Sequence, residues 1–197
     1  LSRDITIVNT ADYHFSNISS KRKFIVVKND IFQVQPNYIC ITGDYIDMPE
    51  ILDNPIMYDE SLSYIEELSK IAPVFFSIGS HEYVRKDRSI YYNKNWFSDL
   101  DGIDNVHLLN NKRYDIDDVS FYGYTPIKSY YNSSHTFKGE SKLIIDFTKK
   151  MPELENDLYT VLLCHSPVDI LKDYVVNNIN GFKNIDVILS GHMHNGM

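Results

Sequence analysis

Nine polar residues capable of binding metal or phosphate stand where five apolar runs of this sequence end: Asp12 and His14, Asp44 and Asp47, Ser80 and His81, His165, and His192 and His194. Five of the seven histidines fall in these places. Neutral imidazole is the commonest metal ligand. Carboxylate and imidazole together suit Mn, Fe, Zn, Co or Ni rather than Ca or Mg alone. By itself the His192-Met-His194 pair reads as two loop histidines, one of them bonded to backbone, sooner than as a metal site. With the other four clusters, the candidates exceed the needs of one ion, and two ions sharing a carboxylate would use them.

The elements that must carry these residues alternate strand and helix. Ile5 to Asp12, Tyr38 to Thr42, Val74 to Ile78, Thr160 to Cys164 and Ile185 to Leu189 read as buried strands, each a β-branched or aromatic run. Each leads directly into one cluster. Gly43, Gly79 and Gly191 sit at three of the turns, where a side chain would hinder a sharp bend. Between strands, Phe24, Val27, Ile31 and Val34 predict the inner face of a helix from Ser19 or Ser20 to Pro36. Asp59 opens a second helix carrying Leu62, Ile65 and Leu68. A third over 87–100 turns Ile90, Phe97 and Leu100 inward. Val106–Leu109 and Val119–Tyr124 read as strands of a second sheet, with 112–118 a turn region between them. Residues 126–139 read as loop, 140–151 as a short helix, and Ser166-Pro167 as the cap of a helix running to about Val176. Open α/β sheets bind ligands beyond the carboxyl ends of their strands, so this order predicts one site gathered from the whole chain.

The 197 residues suit one domain with a substantial core. A net charge of −8 without a basic block argues against a nucleic-acid partner. Cys40 and Cys164 lie inside apolar runs and read as buried thiols, not as a disulfide framework or a zinc site. No apolar run is long enough to span a bilayer, and the start, Leu1-Ser-Arg-Asp4, is not a signal peptide. The expected location is cytoplasmic or membrane-associated, the latter through segments outside this chain.

In order and strand context, Asp12-Tyr-His14, Gly43-Asp44-Tyr-Ile-Asp47, Gly79-Ser-His-Glu82, His165 and Gly191-His-Met-His194 resemble the motifs of the calcineurin-like metallophosphoesterases. Five motifs in order span nearly the whole chain. The resemblance implies an α/β fold, a four-layer αββα sandwich of two mixed β-sheets flanked by helices. It implies one metallophosphoesterase domain over 1–197 that lacks the C-terminal strands with which the family continues. It also implies two divalent ions, Mn²⁺ first, with Fe, Zn, Ni or Co as alternatives. Asp12, His14, Asp44 and His194 would hold the first ion. Asp44, Ser80, His165 and His192 would hold the second, with Asp44 shared. His81, oriented by Asp47, would stand over the phosphate. The implied activity is hydrolysis of a phosphodiester or phosphomonoester by a hydroxide bridging the ions. The implied substrate is a small molecule or a lipid head group, and the layout looks most like bacterial membrane-associated phosphodiesterases.

Ser80 departs from the family, which has Asn there. Its hydroxyl has a shorter reach and is a poorer ligand, so the second ion is either weakened or supported through water. The rival readings are a nuclease of the same superfamily, which would need a basic channel, and a metal-binding scaffold of low activity. Arg85 and Arg88 read as surface charges with the chemistry to touch a phosphate. His107 and His135 read as structural or exposed, and Glu82 as structural. Asn17 and Asn132 match the glycosylation pattern but carry no weight without a secretory signal.

Overall fold

The computed structural model describes residues 4–16, 19–84, 86, 89, 91–125, 157–166 and 185–192. In order these form β1 (Ile7–Thr10), α1 (Ser19–Val34), β2 (Tyr38–Thr42), a 3-10 turn (Pro49–Asp53), α2 (Pro55–Ser69), β3 (Val74–Ser77), α3 (Lys94–Asp101), β4 (Val106–Leu108), β5 (Lys112–Ile116), β6 (Val119–Tyr124), β7 (Tyr159–Cys164) and β8 (Val187–Leu189). Two four-stranded sheets result, ordered β1-β2-β3-β4 and β5-β6-β7-β8.

Period-two alternation decides which sheet face meets which layer. Ile39 and Ile41 of β2, with Val74 and Phe76 of β3, face Phe24 and Ile31 of α1, Ile65 and Leu68 of α2, and Trp96 and Leu100 of α3. Their neighbours Tyr38, Cys40 and Phe75 point the other way and meet Val119, Phe121, Val161 and Leu163 of the second sheet. Phe75 and Phe121 stack at 3.9 Å across this seam. The architecture is therefore the expected α/β sandwich of two sheets flanked by helices. The helices expected at 140–151 and after Ser166, and the loop at 126–139, lie outside the described residues.

Several elements differ from the sequence reading. Strand β4 belongs to the first sheet, not the second: it pairs in parallel with β3, Val74 against Val106. The intervening α3 makes a β-α-β crossover, which delivers a strand back beside its predecessor. The first sheet is accordingly all parallel among the described residues rather than mixed. Residues 112–116, expected as turn, form a strand antiparallel to β6, Lys112 against Gly123. Lys112, Arg113 and Asp115 disguised it, yet charge is what an edge strand carries to resist further pairing. Helix α2 begins at Pro55, four residues before Asp59, because the Asn54 side chain accepts from the N–H groups of Ile56 and Met57. Helix α3 begins only at Lys94, capped by the Asn93 side chain. Val34 is 52% exposed rather than inward.

None of the helices among the described residues is long and apolar enough to cross a membrane.

Candidate metal centre

The β1–β2 ladder does not stop at the strand ends. Asp12 N–H donates to the Gly43 carbonyl, His14 N–H to Asp44, Phe15 N–H to Tyr45, and Asp47 N–H back to Phe15. These bonds hold the Asp12-x-His14 and Asp44-x-x-Asp47 turns side by side. On the second sheet, the Gly191 N–H donates to the His165 carbonyl. The two sheets are tied at this end by Asn9, which accepts from the Thr42 hydroxyl and donates to the Ser190 carbonyl. The Asp12 carboxylate also accepts from the His192 N–H, at 3.0 and 2.9 Å.

Four of the candidates, Asp12, His14, Asp44 and His192, have positive φ, between 49° and 71°. Left-handed backbone costs about 1–2 kcal/mol for most L residues, less for Asp. Gathered at one place, it marks a site at which the fold holds side chains against local preference.

At the floor lie Asp44 and His165, 2% and 0% exposed. Asp44 Oδ2 is 2.9 Å from His165 Nε2, and His165 Nε2 is 3.2 Å from His192 Nδ1. The other ring nitrogen of His165, Nδ1, bonds to the Thr42 carbonyl at 2.8 Å. A carbonyl can only accept, so Nδ1 carries the proton, and a neutral His165 turns the Nε2 lone pair toward the Asp44 carboxylate and His192. Three electron-rich atoms thus converge in a buried place, and they need either a proton or a cation between them. Without metal, a proton serves. Burial opposes charge on His165, but the bond and charge of Asp44 outweigh it and raise the imidazole to about 8. Burial also opposes ionisation of Asp44, but the bond and charge of His165, with His81, draw its carboxyl down to about 2. The donor set fits a divalent metal ion: the tautomer is locked as a ligand requires, and carboxylate with two imidazoles suits Mn, Fe or Zn.

Asp44, His165 and His192 form one group whose ligand atoms all lie within 4.8 Å of one another; Asp12, His14 and Asp44 form another; His14, Asp47 and His81 form a third. The first two share Asp44. His194 lies outside the described residues. Ser80 sends its hydroxyl toward Asp44 Oδ1 at 3.4 Å, and the same oxygen accepts from the His81 N–H at 2.8 Å. His14 and His81 are nearer the mouth, with side chains 22% and 30% exposed. His81 meets Asp47 through its backbone: Nδ1 bonds the Asp47 carbonyl oxygen, while the carboxylate stands 4.0 Å away and 3.6 Å from His14 Nδ1. That leaves His81 Nε2 facing the floor, 3.9 Å from Asp44 Oδ2.

Two participants had no sequence signal, the carbonyl oxygens of Thr42 and Asp47, since any residue supplies a carbonyl. Arg85, Arg88 and His135 lie outside the described residues. His107 belongs to none of these groups and stacks on both Phe75 and Tyr114, which also touch each other. Cys164 adjoins His165 but is inert, its thiol pushed up to about 12 by burial.

The two sheets thus deliver Asp and His side chains to a common buried floor whose donor set fits a metal ion. The description of the calcineurin-like phosphoesterase family matches residues 5–196, and the chain belongs to that family. No curated protein matches it. Among solved structures, the nuclease MPE of Pseudomonas putida is similar at 11% identity and a TM-score of 0.35, the match covering 61% of this chain and 56% of that one. The chain thus spans little more than half the length of that protein.

Proposed function

We propose that this chain is a hydrolase of phosphodiesters or phosphomonoesters that works with two divalent metal ions, Mn²⁺ foremost, on a small molecule or a lipid head group. The observation that carries the reading is the pair of ligand groups sharing Asp44, one reaching to Asp12 and His14 and the other to His165 and His192. His194 completes the first group in this reading, and Ser80 supports the second. When bound, the ions supply an activated water as nucleophile and offset the charge that builds on the phosphoryl oxygens.

The chain's own residues do the rest. Thr42 fixes the His165 tautomer through its carbonyl oxygen. The His192 N–H holds the Asp12 carboxylate in place. His81, with Nδ1 engaged by Asp47, keeps Nε2 directed into the site, where a proton on it passes to the leaving oxygen as the phosphorus–oxygen bond breaks. Its partial exposure, above the buried floor, supports a role at the mouth where a substrate would enter.

The test is Mn²⁺ binding together with hydrolysis of bis(p-nitrophenyl) phosphate, p-nitrophenyl phosphate and a single-stranded DNA. Two ions per chain, with aryl ester turnover that a chelator abolishes, is the expected result. DNA cleavage in preference to the aryl esters would replace the small-molecule reading with the nuclease one. Two bound ions with no hydrolysis of any substrate would leave a scaffold.

A further inference from the structure

Glu82 follows His81 by one residue and is 0% exposed. A buried carboxylate requires an unusual number of partners, and Glu82 has four, all backbone. Its Oε2 accepts from the N–H groups of Gly79 at 2.6 Å and Asp44 at 2.9 Å. Its Oε1 accepts from Tyr45 at 2.6 Å and Ile46 at 3.2 Å. The three successive N–H groups of residues 44–46 point inward because Asp44 is left-handed, with φ 51°. Successive amides around a left-handed residue form a cradle for an anion, and here the anion is a side chain of the same molecule. The two turns involved are the ones that follow β2 and β3, and they touch closely: a Cβ on Gly43 would lie 2.5 Å from the Gly79 nitrogen.

We propose that Glu82 is a positioning residue that clamps the Asp44 turn to the Gly79 turn and so aims the Asp44 carboxylate at His165 without touching a metal ion. The four amide bonds hold Asp44 in a backbone conformation it would not choose alone. Its side chain then reaches the floor, with Oδ2 2.9 Å from His165 Nε2 and Oδ1 accepting from the His81 N–H. Burial and the neighbouring Asp44 charge push the Glu82 carboxyl up to about 7, in keeping with two carboxylates crowded together. A glutamine has the same shape but only one acceptor oxygen, so it can serve one pair of amides and must turn donors toward the other. An aspartate keeps both acceptors on an arm one carbon shorter.

The clamp stands independently of any metal; its effect on metal affinity rests on the two-ion reading above. The experiment separates them. Amide hydrogen exchange on the metal-free wild type should show Gly79, Asp44, Tyr45 and Ile46 as slow as the amides of β2 and β3, although none of the four lies in a strand. Exchange at loop rates there would overturn the clamp, and this holds even where a variant fails to fold. In Glu82→Gln, protection should be lost at one pair, Gly79 and Asp44 or Tyr45 and Ile46, with the sheets unaffected. Calorimetry with Mn²⁺ should then rank affinity as wild type, Glu82→Asp, Glu82→Gln, the last weaker by about 10–100-fold, as typical when support behind a ligand is removed. The Co²⁺ absorption spectrum at saturation should keep its coordination number, unlike that of Asp44→Asn, which loses a ligand. Wild-type Mn²⁺ affinity in a folded Glu82→Gln would overturn the positioning role. A wild type that binds no Mn²⁺ would overturn the proposed function, while the exchange data would still decide the clamp.

Discussion

Gly79→Ala is the most discriminating change in this site because its effect is steric and small. Gly79 does not need glycine for its backbone; the positive φ is at Gly43, at 82°. It needs glycine for space. A Cβ there would lie less than 3.0 Å from both the Asp44 nitrogen and Asp44 Oδ1, and 2.9 Å from Glu82 Oε2. Ordinary contact begins at 3.4 Å. None of these three atoms is the loose end of a flexible side chain, since Glu82 is held by four amides and Asp44 by His165 and His81. Relief therefore demands that the Asp44 turn retreat by roughly 1 Å, at a cost of about 1–3 kcal/mol for overpacking. The protein should remain folded, with a lower melting temperature. A 1 Å misplacement of a group in the site is worth about 100-fold in rate, so kcat/KM for an aryl phosphodiester should fall by about that factor. Mn²⁺ affinity should fall with it, because Asp44 belongs to both ligand groups. The assay is a Mn²⁺ titration of wild type and variant, followed by activity and by calorimetry at matched protein concentration. Wild-type rate and affinity in a folded variant would show that the turn yields freely, and the argument that a rigid Asp44 organises the centre would fail.

Three further outcomes are expected. His81→Ala should lose kcat by at least about 100-fold, the usual weight of a general acid, while keeping its Mn²⁺ stoichiometry; loss of metal in step with activity would make His81 a ligand. Ser80→Asn should bind its weaker Mn²⁺ more tightly, by about 10–100-fold if an amide oxygen restores a missing ligand, and equal titration curves for the two forms would mean that Ser80 already does the work of Asn. His107, whose pKa burial against Phe75 and Tyr114 lowers from 6.5, binds its proton more readily in the unfolded chain. Its contribution to stability is therefore intact above about pH 6.5 and lost as pH falls toward the lowered folded value; urea melts of wild type and His107→Phe should diverge in slope against pH only below that point, and parallel slopes would refute it.

The legibility of this protein in its sequence follows physical lines. Strand ends bearing Asp or His were readable because a buried strand shows as a β-branched run and its exit as a glycine or charge. Tyr38–Thr42 and Val74–Ser77 fall within the expected limits for that reason. Strand β5 was not readable, since its alternation of exposed Lys112, Tyr114 and Asp115 with half-buried Arg113 and Ile116 has no hydrophobic period to detect. Placing β4 depended on seeing α3 as a crossover, and the residues before Lys94 carry a polar, tyrosine-rich pattern that hides where the helix starts. In the site, residue types announced the candidate ligands but not the carbonyl oxygens that orient them. Glu82 was readable as structural, but three of its four amide partners follow from the left-handed turn at Asp44, and nothing in the letters Gly-Asp-Tyr-Ile states that turn.

The arrangement of charge explains why so few residues carry so much of the site. Asp44 and Glu82 are both buried carboxylates, and a fold cannot hold two such groups together without compensation. Glu82 is compensated by fixed backbone dipoles, which neither titrate nor leave. Asp44 is compensated by His165, the His81 N–H and a long contact from the Ser80 hydroxyl, and it still lies among further electron-rich groups. There Asp12, His14 and His192 add a further carboxylate and two further imidazoles. The Glu82 side is thus saturated with internal donors, while the Asp44 side is short of positive charge. A divalent cation is the species that corrects the second condition without disturbing the first, and a phosphate ester is an anion that such cations would then attract. Specificity for one ester over another must come from elsewhere, because every residue at the floor is engaged with the turns or with the place an ion would take.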